Sequence, residues 1–240
     1  MTADLDHERQ VRPLLVDAVQ KRLAGENVLF LKEFCPPTAD WRIDLATLSA
    51  DALVGYEVKA DKDSLGRLPS QIAHYSPVLD RAYLVTTPKH QQRAEDVLPS
   101  WWGVLVFTSV DDLQVIRAST DNPNVSLIPT LKLLRGYEAA QLFRRLELKW
   151  RGVSRTRAAM AAIMLDDLGP TKARREGLGT LWKRDHLRER SQTVQQPSLF
   201  QSRTTSGGAR TPGMPSGVVH AGWRPGQLTL GSFANYLMVG

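Results

Sequence analysis

The sequence predicts an α/β fold in which a mixed sheet is flanked by helices. Of the 240 residues, 42% are apolar, which suffices for a hydrophobic core. Short segments rich in β-branched and aromatic residues alternate with segments of helical periodicity as far as about residue 120. Beyond that point the sequence becomes basic and helical, and then rich in glycine, proline and serine. These observations indicate a mixed domain followed by helices and a tail.

The predicted elements begin with a helix over 6–23. Its apolar residues recur at helical spacing, namely Val11, Leu14, Leu15, Ala18, Val19 and Leu23. Strands and intervening helices follow. The strands are predicted over 27–34, 41–48, 53–60, 81–87, 102–108 and 113–118, and the helices over 64–79 and 89–98. Three basic helices are then predicted over 131–150, 154–169 and 170–191. Gly169 and Pro170 mark the end of one helix and the start of the next.

Charge is unevenly distributed along the chain. The net charge is −5 over residues 1–129, +8 over 130–190 and +3 over the remainder. We therefore predict a domain over 1–125, a basic helical segment over 126–190, and a disordered tail over 191–240. A basic segment beside an acidic body favours a polyanionic partner. A solvated helical surface would have the same composition.

Several classes of protein are excluded by composition. The single cysteine, Cys35, can form neither an internal disulfide nor a cysteine metal cluster. The first ten residues, "MTADLDHERQ", are polar rather than a signal sequence, and no apolar segment reaches the roughly 18 residues of a membrane span. We expect a cytoplasmic protein.

Two opposite charges share one face of the third predicted strand. Glu57 and Lys59 are two residues apart, so their side chains point to the same side of the sheet. The preceding strand carries Asp44, and the short link "SADA" predicts a hairpin. If the turn centres on Ala50 and Asp51, Asp44 faces Glu57 with Cβ atoms about 5 Å apart.

Two carboxylates this close repel each other, and a divalent cation between them would reverse the sign of the interaction. Hard oxygen ligands of this kind suit Mg²⁺ or Mn²⁺. Lys59 would lie on the same face, where it could orient or deprotonate an attacking water. The alternative is a cross-strand charge cluster in which Lys59 only neutralises a carboxylate at a sheet edge.

The helix after this strand presents two polar side chains together. In "LPSQIAHYSPVL", Gln71 and Tyr75 are four residues apart and therefore share a helical face. Because the helix directly follows the charged strand, this face can return toward Asp44 and Glu57.

Together these residues resemble the PD-(D/E)xK nuclease superfamily. Asp44 supplies the first acid, "EVK" at 57–59 supplies the Glu-x-Lys triplet, and Gln71 lies on the following helix. The order of helices and strands agrees with the core of that superfamily, and the resemblance covers roughly residues 6–120. It is nearest to a group of largely uncharacterised bacterial and phage proteins within the superfamily. The fold that it implies is a restriction-endonuclease-like mixed sheet.

The resemblance also implies an activity, which is metal-dependent hydrolysis of phosphodiester bonds in DNA. Asp44 and Glu57 would bind Mg²⁺ (or Mn²⁺), with the Val58 carbonyl as a further ligand. Lys59 would act on the attacking water. Ile43 stands where the motif often has proline, a departure that the superfamily tolerates.

Four other side chains have expected places around this centre. Gln71 and Tyr75 would position the substrate or the attacking water, as the matching helix does in RecB-like members. Glu33 and Glu8 fall where some members carry an additional acid, and Glu33 is a candidate metal ligand. Glu33 can equally be an edge-strand charge, and Glu8 an acid favoured at a helix N-terminus.

The tail contains a second short motif, "QQPSLFQ" at 195–201. Gln196, Ser198, Leu199 and Phe200 resemble the peptide by which bacterial DNA-processing proteins dock on the sliding clamp. Two adjacent apolar side chains in a polar tail are available for a partner's pocket. They can alternatively fold back on the domain.

The predicted function is that of a metal-dependent DNA nuclease acting in repair, recombination or phage and mobile-element DNA processing. The basic segment over 126–190 would contact DNA, and the cytoplasmic protein would be nucleoid-associated when bound to it. The alternative is a non-catalytic DNA-binding accessory protein with a nuclease fold, recruited through the clamp peptide. Nothing in the sequence distinguishes endonuclease from exonuclease activity.

Overall fold

Six strands form one sheet in which strands that are neighbours in the chain are hydrogen-bonded to each other. They are β1 (Leu29–Phe34), β2 (Ile43–Leu48), β3 (Leu53–Lys59), β4 (Arg81–Thr86), β5 (Trp102–Ser109) and β6 (Asp112–Arg117). Strands β3, β4 and β5 are parallel, whereas the other pairs are antiparallel. The computed structural model describes residues 5–35, 42–150 and 155–194, with side chains described up to residue 184.

Seven α-helices surround this sheet in the described residues. They are α1 (Glu8–Arg22), α2 (Leu68–Tyr75), α3 (Gln91–Val97), α4 (Leu127–Leu133), α5 (Gly136–Arg145), α6 (Arg157–Leu168) and α7 (Pro170–Val194). The predicted α/β class and mixed sheet are confirmed, and all six predicted strands are present. Among the described helices, none has the length and apolarity needed to cross a bilayer.

The alternation of side chains along the strands creates two hydrophobic layers. Helix α1 covers one face, where its Val11, Leu15 and Val19 pack with strand residues such as Tyr56 and Tyr83. The opposite face is covered by α2 to α7, whose buried apolar residues form one cluster with those of the strands. The sheet is therefore buried on both faces, as parallel strands require.

The β2–β3 hairpin has the predicted register. Leu48 pairs with Leu53 and Leu45 pairs with Tyr56. In the turn, the Ser49 hydroxyl accepts hydrogen bonds from the backbone N–H groups that follow it, at 3.2 and 3.0 Å. Side chains of this type stabilise tight turns by replacing backbone partners. The charged ends of the two strands are consequently adjacent.

The predicted helix over 64–79 is shorter in the structure. A 3-10 turn over Leu65–Arg67 precedes α2, and the Ser64 hydroxyl accepts a hydrogen bond at its start. Helix α2 ends at Tyr75, before Pro77, which has no N–H to continue the helical hydrogen bonds. The Asn122 amide instead donates to two carbonyls in the loop after α2, at 2.6 and 2.7 Å.

The prediction of one continuous basic helix over 131–150 is wrong, because two separate helices occupy this region. Helix α4 ends at Leu133, and α5 begins at Gly136 after Arg135 adopts an extended conformation. The Glu138 carboxylate stabilises the break by accepting the Arg135 N–H at 2.6 Å. The end of α6 at Gly169 and the start of α7 at Pro170 are confirmed.

The C-terminal helices share their core with the sheet. Leu131, Met164 and Leu178 belong to the same buried cluster as Leu48 and Leu84 of the strands. The predicted domain boundary between residues 125 and 126 stays a prediction. In the structure, α4 to α7 pack directly on the sheet. Helix α7 continues through Val194, a few residues into the segment predicted as tail.

Candidate active site

The predicted acids and the predicted lysine converge near the carboxyl end of β3. Asp44 on β2 and both Glu57 and Lys59 on β3 have buried side chains. Asp44 Oδ2 accepts a hydrogen bond from the Val58 N–H at 2.7 Å. The hairpin register explains this contact, because Leu45, the neighbour of Asp44, pairs with the residue before Glu57. The structure thus brings together the strand residues that the sequence singled out.

Lys59 lies at the centre of the cluster. Its Nζ donates to Glu57 Oε1 at 2.7 Å and to the Val58 carbonyl at 3.0 Å. A third contact, at 3.2 Å, joins it to Glu8 Oε1 on α1. The Lys59 backbone carbonyl accepts the Thr86 hydroxyl on β4 at 2.7 Å. Since an ammonium has three donors, its three acceptors fix the Lys59 side chain completely.

Helix α2 directs Gln71 and Tyr75 onto Glu57, as their four-residue spacing predicts. Gln71 Nε2 donates to Glu57 Oε1. The Tyr75 hydroxyl donates to the Arg42 carbonyl at 2.9 Å and lies 3.3 Å from Glu57 Oε2. Both oxygens of this carboxylate are therefore positioned by neighbouring side chains.

Arg12 on α1 belongs to the cluster but is absent from the sequence prediction. Its Nη2 lies 2.5 Å from Asp44 Oδ1 and 2.8 Å from Glu8 Oε2. The contact between Glu8 and Arg12 could have been predicted from the sequence, because the two residues are four apart and share one helical face. The contact with Asp44 joins two different elements and leaves no pattern in the sequence.

Glu33, the weaker candidate metal ligand, lies at the rim of the cluster. Its side chain is 54% exposed, and its two oxygens each lie 3.5 Å from an arginine, one from Arg12 and the other from Arg42. Its backbone has a φ of +48°, in the left-handed region that residues other than glycine seldom adopt. Glu33 thus reaches the buried acids through Arg12.

Burial dominates the electrostatics of the two acids. It raises the pKa of Glu57 to about 7, an effect that Lys59 opposes and Asp44 increases. Burial also raises the pKa of Asp44, although the Val58 N–H and the charge of Arg12 lower it. For Lys59, burial lowers the pKa, but the charge and hydrogen bond of Glu57 outweigh burial, and the net pKa is raised. The lysine is therefore charged beside acids whose ionisation is costly.

The oxygen atoms of this cluster are of the kind that Mg²⁺ and Mn²⁺ prefer. Carboxylate oxygens come from Asp44 and Glu57, and the Val58 carbonyl lies beside Lys59 Nζ. Gln71 Oε1 is buried and has no hydrogen-bond partner among the residues that the structure describes. Within the described ranges, no three His, Cys, Asp or Glu side chains are grouped so as to hold a metal. A cation here would require the backbone and amide oxygens in addition to the two acids.

A cavity of about 430 Å³ between α1 and the β1–β2 edge opens onto Asp44. Three basic side chains line it, those of Arg9, Arg12 and Lys32, together with Glu33. The cavity therefore gives a small cation or a phosphate a route from solvent to the buried acid.

A second, more basic cavity of about 550 Å³ lies between α5 and α7. Arg135, Arg145, Lys183 and Arg184 line it with the exposed ring of Tyr137. The buried Glu138 carboxylate contacts Arg184 at 3.3 Å and positions it at the wall.

The predicted clamp-binding residues, Gln196, Ser198, Leu199 and Phe200, lie outside the described residues. Docking on a sliding clamp stays a prediction from the sequence.

Comparisons with known proteins connect the chain to a bacteriophage family. A relative named Protein cII, from Enterobacteria phage P4, is 27% identical over 107 residues. The match covers 45% of this chain and 40% of that protein, so it spans about two fifths of the relative's length. A solved structure of a protein of unknown function from Silicibacter pomeroyi aligns with a TM-score of 0.37 at 18% identity, covering 55% of this chain and 86% of that one. The family described as Bacteriophage P4 protein cII matches residues 1–195, most of the 240-residue sequence, and this chain belongs to that family.

Proposed function

We propose that this protein is a divalent-cation-dependent DNA nuclease with a PD-(D/E)xK active site. One observation carries the proposal, which is the burial of Asp44, Glu57 and Lys59 in a single hydrogen-bonded cluster that also contains the Val58 carbonyl. A structural charge cluster would balance its acids with cations. Here Glu8, Asp44 and Glu57 are joined to two cations, so acidic groups are in excess.

Each side chain then has a role that follows from its contacts. Asp44, Glu57 and the Val58 carbonyl would hold Mg²⁺ or Mn²⁺, which supplies charge stabilisation to a phosphoryl oxygen and favours formation of the nucleophile. Lys59, held at 2.7 Å from Glu57, places a positive charge where negative charge develops on the phosphate. Gln71 and Tyr75 orient Glu57.

The substrate backbone would be bound by basic residues that the fold does not itself require. Arg174 is buried against Asp80, and Arg157 donates to the Leu134 carbonyl, so these two arginines have structural partners. By contrast, Arg135 and Lys183 are exposed in the cavity between α5 and α7. Contacts of this kind bind phosphates without reading sequence and weaken as salt increases.

The test is cleavage of linear, nicked, single-stranded and branched DNA with Mg²⁺ or Mn²⁺. We expect metal-dependent cleavage by the wild type, and losses of at least about 100-fold for Lys59→Ala and for Asp44→Asn. Lys21→Ala is the matched control, because Lys21 is an exposed lysine in the last turn of α1. It should cleave like the wild type.

DNA binding measured in parallel separates catalysis from attachment. Lys59→Ala should bind DNA as the wild type does, whereas Arg135→Ala combined with Lys183→Ala should bind more weakly and with a smaller salt dependence. A wild type that binds DNA in a salt-sensitive way but cleaves no substrate with either metal would instead favour the non-catalytic accessory protein.

A further inference from the structure

Arg12 occupies the position at which a cation would meet Asp44. Its guanidinium lies 2.5 Å from Asp44 Oδ1 and 2.8 Å from Glu8 Oε2, with Glu33 Oε1 at 3.5 Å. One side chain thus serves three carboxylates from three different elements. We propose that Arg12 competes with the divalent cation for Asp44. Arg12 pairs with Asp44 in the cation-free protein and is displaced when the cation binds. The inference rests on the proposed function.

The two oxygens of Asp44 have different partners, and the difference decides which one a cation can take. Oδ2 accepts the Val58 N–H at 2.7 Å, a contact between adjacent strands that the hairpin register fixes. Oδ1 contacts Arg12, whose side chain extends from a helix. A cation that binds Oδ1 would therefore contact the same oxygen as the guanidinium. Two positive charges on one oxygen lie close enough to repel each other strongly.

Arg12 is also held in a way that permits release. Its side chain is 37% exposed, and its Nε is buried with no hydrogen-bond partner among the described residues. The contact with Glu33 is long. The cavity of about 430 Å³ beside it provides space into which the guanidinium can rotate. After release, Arg12 would remain a cation in the wall of the cavity that leads to Asp44.

The chain offers a matched control for this proposal. Arg9 lies one turn before Arg12 on α1 and lines the same cavity, but it is exposed, and the described ion pair of Asp44 is with Arg12. Replacing either arginine by glutamine removes one positive charge from the same surface. A difference between the two variants therefore reports the contact with Asp44 rather than the general field.

The experiment is direct measurement of Mn²⁺ binding to the full chain, by titration calorimetry and by the electron paramagnetic resonance signal of free Mn²⁺. Arg12→Gln should bind Mn²⁺ about tenfold more tightly than the wild type, a typical magnitude for coupled sites. Arg9→Gln should change the affinity by less than about twofold. Arg12→Lys keeps the charge and provides a second variant, with an affinity expected between the wild type and Arg12→Gln.

The possible results separate the inference from the proposed function. An equal gain for Arg9→Gln and Arg12→Gln, or no gain for Arg12→Gln, would overturn the competition while the cation site stands. Absence of Mn²⁺ binding in the wild type and in both Arg12 variants, or unchanged binding in Asp44→Asn, would overturn the cation site and the competition together. Circular dichroism of each variant establishes that the chain is folded.

Discussion

Two buried charge clusters in the described part of the chain differ in how completely their polar groups are paired. One joins Asp80 at the end of the loop before β4 to Arg174 on α7, and the other joins Asp44, Glu57 and Lys59. Both lie in the interior, where an unpaired charge is costly. The comparison shows that buried charges in one protein can be paired to very different degrees.

The Asp80–Arg174 cluster is closed, meaning that each charged group is paired with a group of opposite charge. Arg174 Nε and Nη2 contact the two Asp80 oxygens, each at 2.9 Å, in a bidentate pair. Asp80 Oδ2 also accepts the Leu53 N–H at 2.8 Å, and Arg174 donates to the carbonyls of Val78 and Ser126. One acid is matched by one base, and the geometry is that of a strong structural ion pair. It connects α7 to the sheet.

The Asp44–Glu57–Lys59 cluster is open, meaning that its charged and polar groups are not fully paired. It has more acids than bases, and a cavity leads to Asp44. Within the described ranges, its buried Gln71 Oε1 has no hydrogen-bond partner. Burial raises the pKa of both Asp44 and Glu57. Proteins tolerate such arrangements mainly where function requires them, since stability alone would favour pairing or replacement.

The largest effect on stability is expected at the closed cluster. Arg174→Ala should lower the free energy of unfolding by about 3–5 kcal/mol, because it leaves Asp80 as a buried and unpaired charge. Urea denaturation followed by circular dichroism measures this change. Arg175→Ala is the control, since Arg175 is 67% exposed and its contact with Asp51 is 3.6 Å long. It should cost less than about 0.5 kcal/mol, and similar losses in the two variants would contradict the assignment of a structural role to the closed pair.

The two clusters also differ in how far the sequence predicts them. The open cluster is formed mostly by local patterns, namely a four-residue turn that sets the register, an i, i+2 pair on β3, and Gln71 and Tyr75 at helical spacing on α2. Such patterns depend on the periods of strands and helices and can be read from a single chain.

The parts that sequence analysis missed depend on contacts between distant elements. Arg174 pairs with Asp80 across 94 residues, and Arg12 meets Asp44 through packing of α1 on the sheet. Neither contact has a periodic signal, because packing of elements sets it. The break between α4 and α5 was missed for a related reason, since Glu138 stabilises an extended Arg135 within a segment of otherwise helical composition.

The pH dependence of stability tests the electrostatics of the open cluster. Burial raises the pKa of Glu57 from its ordinary 4.5 to about 7, so the folded state binds the proton more tightly than the unfolded state does. The stabilising effect is therefore complete below about pH 4.5 and is lost as the pH rises through 7. By the standard conversion this loss amounts to at most about 3 kcal/mol. Glu57→Gln should remove most of this slope.

Urea denaturation at intervals from pH 4.5 to 8.5 measures the slope in the wild type and in Glu57→Gln. Glu33→Gln is the control, because Glu33 is a solvent-exposed acid at the rim of the same cluster. It should leave the slope as it is in the wild type. A slope that persists in Glu57→Gln would mean that Glu57 is already ionised in the folded protein below neutral pH, and that Lys59 compensates its burial fully.

The smallest expected effect is that of Arg12→Gln on stability, and it bears most directly on the difference between the clusters. Arg12 and Arg174 both pair with a buried aspartate, yet Arg12 is 37% exposed and Asp44 keeps its hydrogen bond from Val58. Water can also reach Asp44 through the cavity when the guanidinium is absent. We therefore expect the free energy of unfolding to fall by about 1 kcal/mol or less, in the range of partly exposed ion pairs.

Urea denaturation of Arg12→Gln beside Arg174→Ala makes the comparison within one protein. A loss of 3 kcal/mol or more for Arg12→Gln, as expected for Arg174→Ala, would make the Arg12–Asp44 pair a structural ion pair like that of Arg174 and Asp80.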